Sequence, residues 1–186
     1  MKKPITTIIF VLFSILSGGC SAGCDHMQER PAGQSDVIAL ACDPIPVVRV
    51  GFIGRGMRGS GAVERFMHLD SVEVVALCDL EAENLARSQA VLREKAKPEA
   101  AEYMGPEGWK RLCERPDIDL VYISTDWLSH TPMAVYAMEQ GKHVAVEVPA
   151  AVTVEECWKL VDTAEKTRRH CMMLENCCYD FFELAT

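Results

Sequence analysis

Positive charge is what this sequence is short of. Its 186 residues carry 19 Lys and Arg against 27 Asp and Glu, a formal net charge of -8. That disfavours a nucleic-acid partner, because a phosphate backbone demands clustered cations. A structural zinc site is disfavoured too, since there is no C-x-x-C pair and no His/Cys cluster; no metal is expected. The apolar run Ile5 to Leu16 is shorter than the roughly 20 residues a permanent bilayer-spanning helix needs. The nine cysteines do not form a disulfide pattern. Cys78, Cys113, Cys157 and Cys171 fall within expected strands or helices, where a small buried apolar residue is the simpler reading. Cys177 and Cys178 are adjacent and poorly placed to bridge each other.

Hydrophobic content of 49% and charge of 25% are those of an ordinary globular protein with one sizeable core. The N-terminus stands apart. Lys2 and Lys3 precede the apolar run, and small residues then lead to Cys20 and Cys24. Residues 1–20 therefore read as an export signal. A cysteine after small residues resembles a bacterial lipoprotein processing site, although Ser17 stands where that pattern usually has leucine. Lipid on Cys20 or Cys24 would anchor an exported protein to a membrane of the cell envelope; a plain cleaved signal is the alternative. Residues 21–46, rich in Gly, Pro, Ser, Gln and Asp, read as a tether with an apolar patch at Val37 to Ala41.

The informative stretch is V-V-R-V-G-F-I-G-R-G-M-R-G, Val47 to Gly59. An apolar strand runs into Gly54, Gly56 and Gly59 in G-x-G-x-x-G spacing, and an amphipathic helix follows with Ala62, Val63, Phe66 and Met67 on one face. Gly54 allows the sharp turn, Gly56 lets a pyrophosphate approach the backbone, and Gly59 lets helix pack on strand. The helix N-terminus offers N–H groups to phosphates. Glycine-rich turns are common, so the context matters. A second strand, Val72 to Cys78, closes on Asp79, 20 residues after Gly59. A carboxylate there accepts ribose hydroxyls and repels a 2′-phosphate, which favours NAD over NADP.

Further along, Glu81 to Ala96 reads as a helix with Leu85, Ala86 and Leu92 inward, Lys97 to Gly108 as a loop, and Trp109 to Glu114 as a short helix. Leu120 to Ser124 is a third strand, Thr131 to Gln140 a helix, and His143 to Val148 a fourth strand ended by Pro149. Thr153 and Glu156 form a capping-box pattern for a helix reaching about Arg169. Cys171 to Glu175 is a fifth strand, and a helix begins at Tyr179. This alternation predicts an α/β fold, a doubly wound, mostly parallel Rossmann sheet over residues 47–186. Right-handed crossovers put the strand C-termini on one edge, where ligands bind. That edge collects Gly54 to Gly59, Asp79, Ser124 to His130, Glu147 to Pro149 and Asn176 to Tyr179.

Within those clusters, Arg58 is either a phosphate or ribose contact or a solvated charge. Trp127 either stacks on a ring or fills a domain interface. His130, near a helix start, is a cofactor or substrate contact or a loop-packing histidine. Glu147 is costly to bury alone, which points to a ligand hydroxyl or nicotinamide partner. Asn176 and Tyr179 are weaker candidates, since either can simply hold a helix start. His68, His143 and His170 have less telling positions, and His26 lies in the tether.

The motifs V-G-F-I-G-R-G-M-R-G, C-D-L, S-T-D-W-L-S-H, V-E-V-P and L-E-N together resemble the glucose-fructose oxidoreductase and inositol dehydrogenase family, from about Pro46 to Thr186. Within it, the chain is most similar to the NAD-dependent glycosidases of glycoside hydrolase family 109, the α-N-acetylgalactosaminidases. The resemblance implies NAD contacts from Met57, Arg58, Asp79, Trp127, Leu128, Ser129, His130, Glu147, Val148 and Asn176. The wider family has Glu-Lys-Pro where this chain has Glu147-Val148-Pro149. Valine exchanges no proton, so an ordinary dehydrogenase role through that position is excluded, and the glycosidase branch shares the loss. Its implied mechanism oxidises C3 of the sugar, eliminates the glycosidic oxygen after loss of the C2 proton, adds water and returns the hydride. The substrate is then a glycan with terminal α-linked N-acetylgalactosamine. A sugar oxidoreductase and a lone nucleotide-binding domain are the alternatives, and a homo-oligomer is compatible with either enzyme. The family also has a C-terminal substrate domain, absent from this chain, where the main catalytic residues are expected; Tyr179 and His130 are secondary candidates. The 186-residue chain by itself is thus expected to bind NAD weakly or not at all and to cleave nothing.

Overall fold

Val48–Ile53, V-R-V-G-F-I, forms the first strand, β1, and is fully buried from Val50 onward. The computed structural model describes residues 30–179 and 181–185. The export segment, Cys20, Cys24 and His26 lie outside them. Residues up to 34 form a separate unit, of which 30–34 are described; these hold a turn in which the Gln34 N–H donates to the Pro31 carbonyl at 3.0 Å.

After β1 the elements are α1 (Met57–Phe66), β2 (Val72–Asp79), α2 (Ala82–Glu94), β3 (Ala101–Met104), α3 (Gly108–Cys113), β4 (Leu120–Ile123), α4 (Trp127–Glu139), β5 (His143–Glu147), α5 (Val154–Thr167) and β6 (Cys171–Leu174). A 3-10 turn (Asn176–Tyr179) and α6 (Phe181–Leu184) follow. The six strands are all parallel, in the order β3-β2-β1-β4-β5-β6. That is the doubly wound Rossmann order, with the switch point between β1 and β4. Both faces are covered, as parallel sheets require. Val50, Phe52 and Tyr122 face a cluster with α1 and α2, where Ala62, Val63, Leu85 and Leu92 are buried. Ile53, Val121 and Ile123 face the cluster of α3, α4 and α5.

Several local expectations are corrected. The stretch Lys97 to Gly108 is not all loop: Ala101–Met104 pairs with the end of β2 as an edge strand. Its residues are mostly exposed, so it lacks the apolar run that marks a buried strand. The fourth helix begins at Trp127, not Thr131, because Asp126 caps it, and Pro132 lies inside it. On α2, Ala86 is exposed, and Ser88 and Gln89 are buried beside Leu85 and Leu92. Cys157 is exposed, whereas Cys78 and Cys113 are buried; burial pushes both of their thiols up to about 12. The capping box at Thr153 is present with both reciprocal bonds. Val37 packs on the core, while Arg168 Nη1 donates to the Ser35 and Asp36 carbonyls at 2.9 and 2.8 Å.

The join of β1 to α1 is tight. Gly54 has φ +84°, and a Cβ there would lie 2.7 Å from the Ser124 carbonyl carbon. A Cβ on Gly59 would overlap the Gly54 carbonyl oxygen and lie 2.6 Å from Ser124 Oγ. Gly56 meets nothing within 4 Å. Gly59→Ala is therefore expected to destabilise the domain by about 2–3 kcal/mol, and Gly56→Ala by no more than about 1 kcal/mol, the loss of a glycine N-cap; chemical denaturation of both variants checks the contrast.

At the opposite edge, the His170 N–H donates to His143 Nδ1 at 3.1 Å, with the rings 5.0 Å apart. Burial, then His170 and Arg169, holds the His143 pKa below its ordinary value, with Asp119 opposing. The unfolded chain takes up a proton near pH 6.5 that the folded one refuses. Stability is thus whole above about pH 6.5 and falls as the pH drops below it. Between about pH 7.5 and 5.5, the melting temperature of the wild type should fall a few degrees further than that of His143→Asn; equal falls would contradict the assignment.

Candidate cofactor site

The C-terminal edge of the sheet opens into a cleft of about 730 Å³, a size typical of small-molecule sites. One wall is the glycine turn. Gly56 is the N-cap of α1 and supplies no side-chain cap, so its open side and the first-turn N–H groups are available to a ligand. Ser124 Oγ donates to the Gly54 carbonyl at 2.8 Å and ties β4 to the turn. Arg55, between the glycines, is completely buried. Its Nε donates to Ser88 Oγ at 3.0 Å, its Nη1 donates to the Gly59 carbonyl, and its Cζ stands 5.1 Å from the centre of the Phe52 ring. Burial lowers its pKa to about 10, with the Asp79 charge opposing.

Asp79 ends β2 and lines the cleft. Its Oδ2 accepts the Arg55 N–H, and its Oδ1 accepts the Glu81 N–H and Asn84 Nδ2, both at 2.9 Å. These bonds fix the carboxylate plane and leave Oδ2 room for a further donor.

Glu147 ends β5 and is 7% exposed. Its Oε1 accepts the Tyr122 hydroxyl at 2.6 Å, and its Oε2 lies 3.3 Å from Arg58 Nη2. The same Arg58 nitrogen donates to Asn176 Oδ1 at 3.1 Å. Arg58 thus spans the cleft mouth from α1 to the ends of β5 and β6.

The fourth side is the start of α4. Asp126 Oδ1 accepts the Leu128 and Ser129 N–H groups at 3.1 and 3.2 Å, and its Oδ2 accepts Ser129 Oγ at 2.6 Å. Those bonds, that of Ser129 foremost, hold the Asp126 carboxyl below its ordinary pKa. His130 is 1% exposed. Its Nδ1 stands 2.8 Å from the Pro149 carbonyl, an acceptor only, so Nδ1 carries hydrogen and Nε2 of the neutral ring is an acceptor. Nε2 is buried without a partner among the described residues.

Of the residues expected from the sequence, Gly54, Gly56, Met57, Arg58, Asp79, Trp127, Ser129, His130, Glu147 and Val148 line this one cleft. Gly59 lies behind it as packing. Leu128 is 72% exposed and is not among the lining residues. Asn176 joins through Arg58. Tyr179 closes the 3-10 turn. Sequence reasoning overlooked Arg55, Tyr122, Glu81, Asn84, Trp109 and the Gly105-Pro106 pair. The last follows β3, so reading that edge strand would have placed it at the ligand edge.

The residues fit a dinucleotide: an uncapped helix start behind a glycine open to solvent, with a fixed carboxylate at the end of the neighbouring strand. Comparison with known proteins agrees. Residues 48–175 match the model of the oxidoreductase family with an NAD-binding Rossmann fold. The α-N-acetylgalactosaminidase of Bacteroides fragilis is 63% identical over 157 residues, 84% of this chain and 37% of that protein. Glycosyl hydrolase family 109 protein 1 of the same species is 63% identical over 180 residues, 94% of this chain and 39% of that protein. The chain therefore spans less than two-fifths of the length of these curated relatives. Among solved structures, myo-inositol dehydrogenase from Lactobacillus casei, in complex with NAD(H) and myo-inositol, superposes with a TM-score of 0.62 at 28% identity, over 73% of this chain and 38% of that one. By sequence match, strand order and cleft alike, the chain belongs to the oxidoreductase family with the NAD-binding Rossmann fold.

Proposed function

We propose that this domain serves a glycosidase that releases terminal α-linked N-acetylgalactosamine and restores its NAD at the end of every turnover. The observation that carries the reading is Val148. It lines the cleft directly after Glu147, where a proton-exchanging side chain would serve simple oxidation. The 63% identity to an α-N-acetylgalactosaminidase supports the same reading.

Bound NAD supplies a hydride acceptor that takes hydride from the sugar and gives it back. The remaining work falls to the protein. The α1 N-terminus and the open face of Gly56 hold the phosphates. Asp79 accepts the adenosine ribose hydroxyls and disfavours a 2′-phosphate. Glu147, Arg58 and Asn176 form the polar end of the cleft beside Met57 and Val148, and Trp127 and Ser129 flank it. His130 Nε2 is the unpaired acceptor on the wall and the candidate here for a hydroxyl proton. Elimination at C1–C2 followed by water addition then leaves sugar and alcohol as the only net products, so atoms and electrons balance without external oxidant.

In the longest natural polypeptide that carries this domain, p-nitrophenyl α-N-acetylgalactosaminide should yield nitrophenol and free sugar in equal amounts. NAD should be required and NADH should not accumulate. NADH formed in step with sugar consumed, with the glycosidic bond intact, would make the protein a sugar oxidoreductase instead.

A further inference from the structure

We propose that Tyr122 is a positioning residue of the cofactor site, a fixed hydroxyl that aims the Glu147 carboxylate into the cleft. The inference rests on the reading of Glu147 as part of that site. Tyr122 lies on β4 in register with Ala145 of β5. Glu147, two residues on, shares that face and is the diagonal neighbour of Tyr122. The phenol is 3% exposed, and its oxygen donates to Glu147 Oε1 at 2.6 Å.

Two features make this donor rigid. The ring is held by Phe52 and Phe66, with centroids 5.1 and 5.7 Å away, and Phe66 meets it edge-on at 85°. Burial, then the bond to Glu147, pushes the phenol above its ordinary pKa, so it stays protonated and can only donate to this carboxylate. The two oxygens of Glu147 are thereby given different tasks. Oε1 is anchored from beneath, and Oε2 is presented at the cleft toward Arg58. At 7% exposure the carboxylate has little water to replace a lost anchor. Without the hydroxyl it is free to turn, and a ligand must then supply the ordering cost. Nothing in the strand sequence L-V-Y-I beyond a lone polar atom among aliphatics signals this role.

Tyr122→Phe keeps the ring packing and removes the hydroxyl, with its bond to Glu147 and its weaker contact with Arg65. Glu147→Met keeps the volume and removes both oxygens, and the double variant leaves no orphan hydroxyl. NADH binding, followed by fluorescence titration in the longest natural polypeptide carrying this domain, should weaken about ten-fold in Tyr122→Phe. It should weaken at least as much in Glu147→Met, and no further in the double variant. Asp79→Ala, at the adenosine end, reports on the cleft itself and should multiply with Tyr122→Phe. Wild-type affinity in Tyr122→Phe, with Asp79→Ala still weakened, would overturn the role of Tyr122 alone. Losses that multiply in Tyr122→Phe/Glu147→Met would overturn it too, since Tyr122 would then act independently of Glu147. Unchanged NADH binding in all three single variants would bring down the cofactor reading together with the inference.

Discussion

Where α1 leaves β1, the carbonyl of Gly54 occupies the space that any side chain at residue 59 would need. The helix can come that close only because residue 59 has no Cβ. From this one approach much of the site follows. The start of α1 points across the C-terminal edge of the sheet. Gly56 faces open space rather than a packed neighbour. Ser124 reaches over from β4 to cap the Gly54 carbonyl, which fixes the switch point of the sheet. Arg55, caught beneath the turn, connects α1 through Gly59, α2 through Ser88, and β2 through Asp79.

Charge is the second constraint. Arg55 and Glu147, beside the cleft, are almost wholly buried, and a buried charge persists only with partners. Arg55 is served by a carbonyl, a hydroxyl, an aromatic face and the nearby Asp79. Glu147 is served by Tyr122 from below and Arg58 from the mouth. The solutions differ in a way that matters. The partners of Arg55 enclose it beneath the turn, where its Nη2 alone lacks a hydrogen-bond partner among the described residues. Those of Glu147 leave one oxygen at the cleft wall, held in place for a ligand.

Much of this was legible in the sequence, and the physical reasons are plain. Gly54, Gly56, Gly59 and Asp79 are dictated by local backbone needs and fixed spacing, so they can be read without a partner in view. The edge rule for parallel sheets then gathered Trp127, His130, Glu147 and Asn176 from distant segments. What escaped depended on contacts across elements. Tyr122 has meaning only beside Glu147, Arg55 only once α2 packs over it, and Asn84 only beside Asp79. The exposed edge strand Ala101–Met104 carries too little apolar patterning to announce itself, and its loss hid Gly105 and Pro106. The start of α4 was placed late because Pro132 suggests a break, whereas Asp126 at the N-cap starts the helix earlier and leaves that proline inside it, without the bond an N–H there would make to the Leu128 carbonyl.

The central claim is that NAD in this cleft is lent to a glycosidic bond cleavage and returned. Elimination removes the C2 hydrogen of the sugar, and water addition must put a new one back from solvent. Cleavage of an α-N-acetylgalactosaminide in deuterium oxide, by the longest natural polypeptide that carries this domain, tests this most directly. The account predicts released sugar with one deuterium fixed at C2, seen by mass spectrometry and proton NMR. Released sugar with its C2 hydrogen intact would mean direct displacement at the anomeric carbon and would contradict the account.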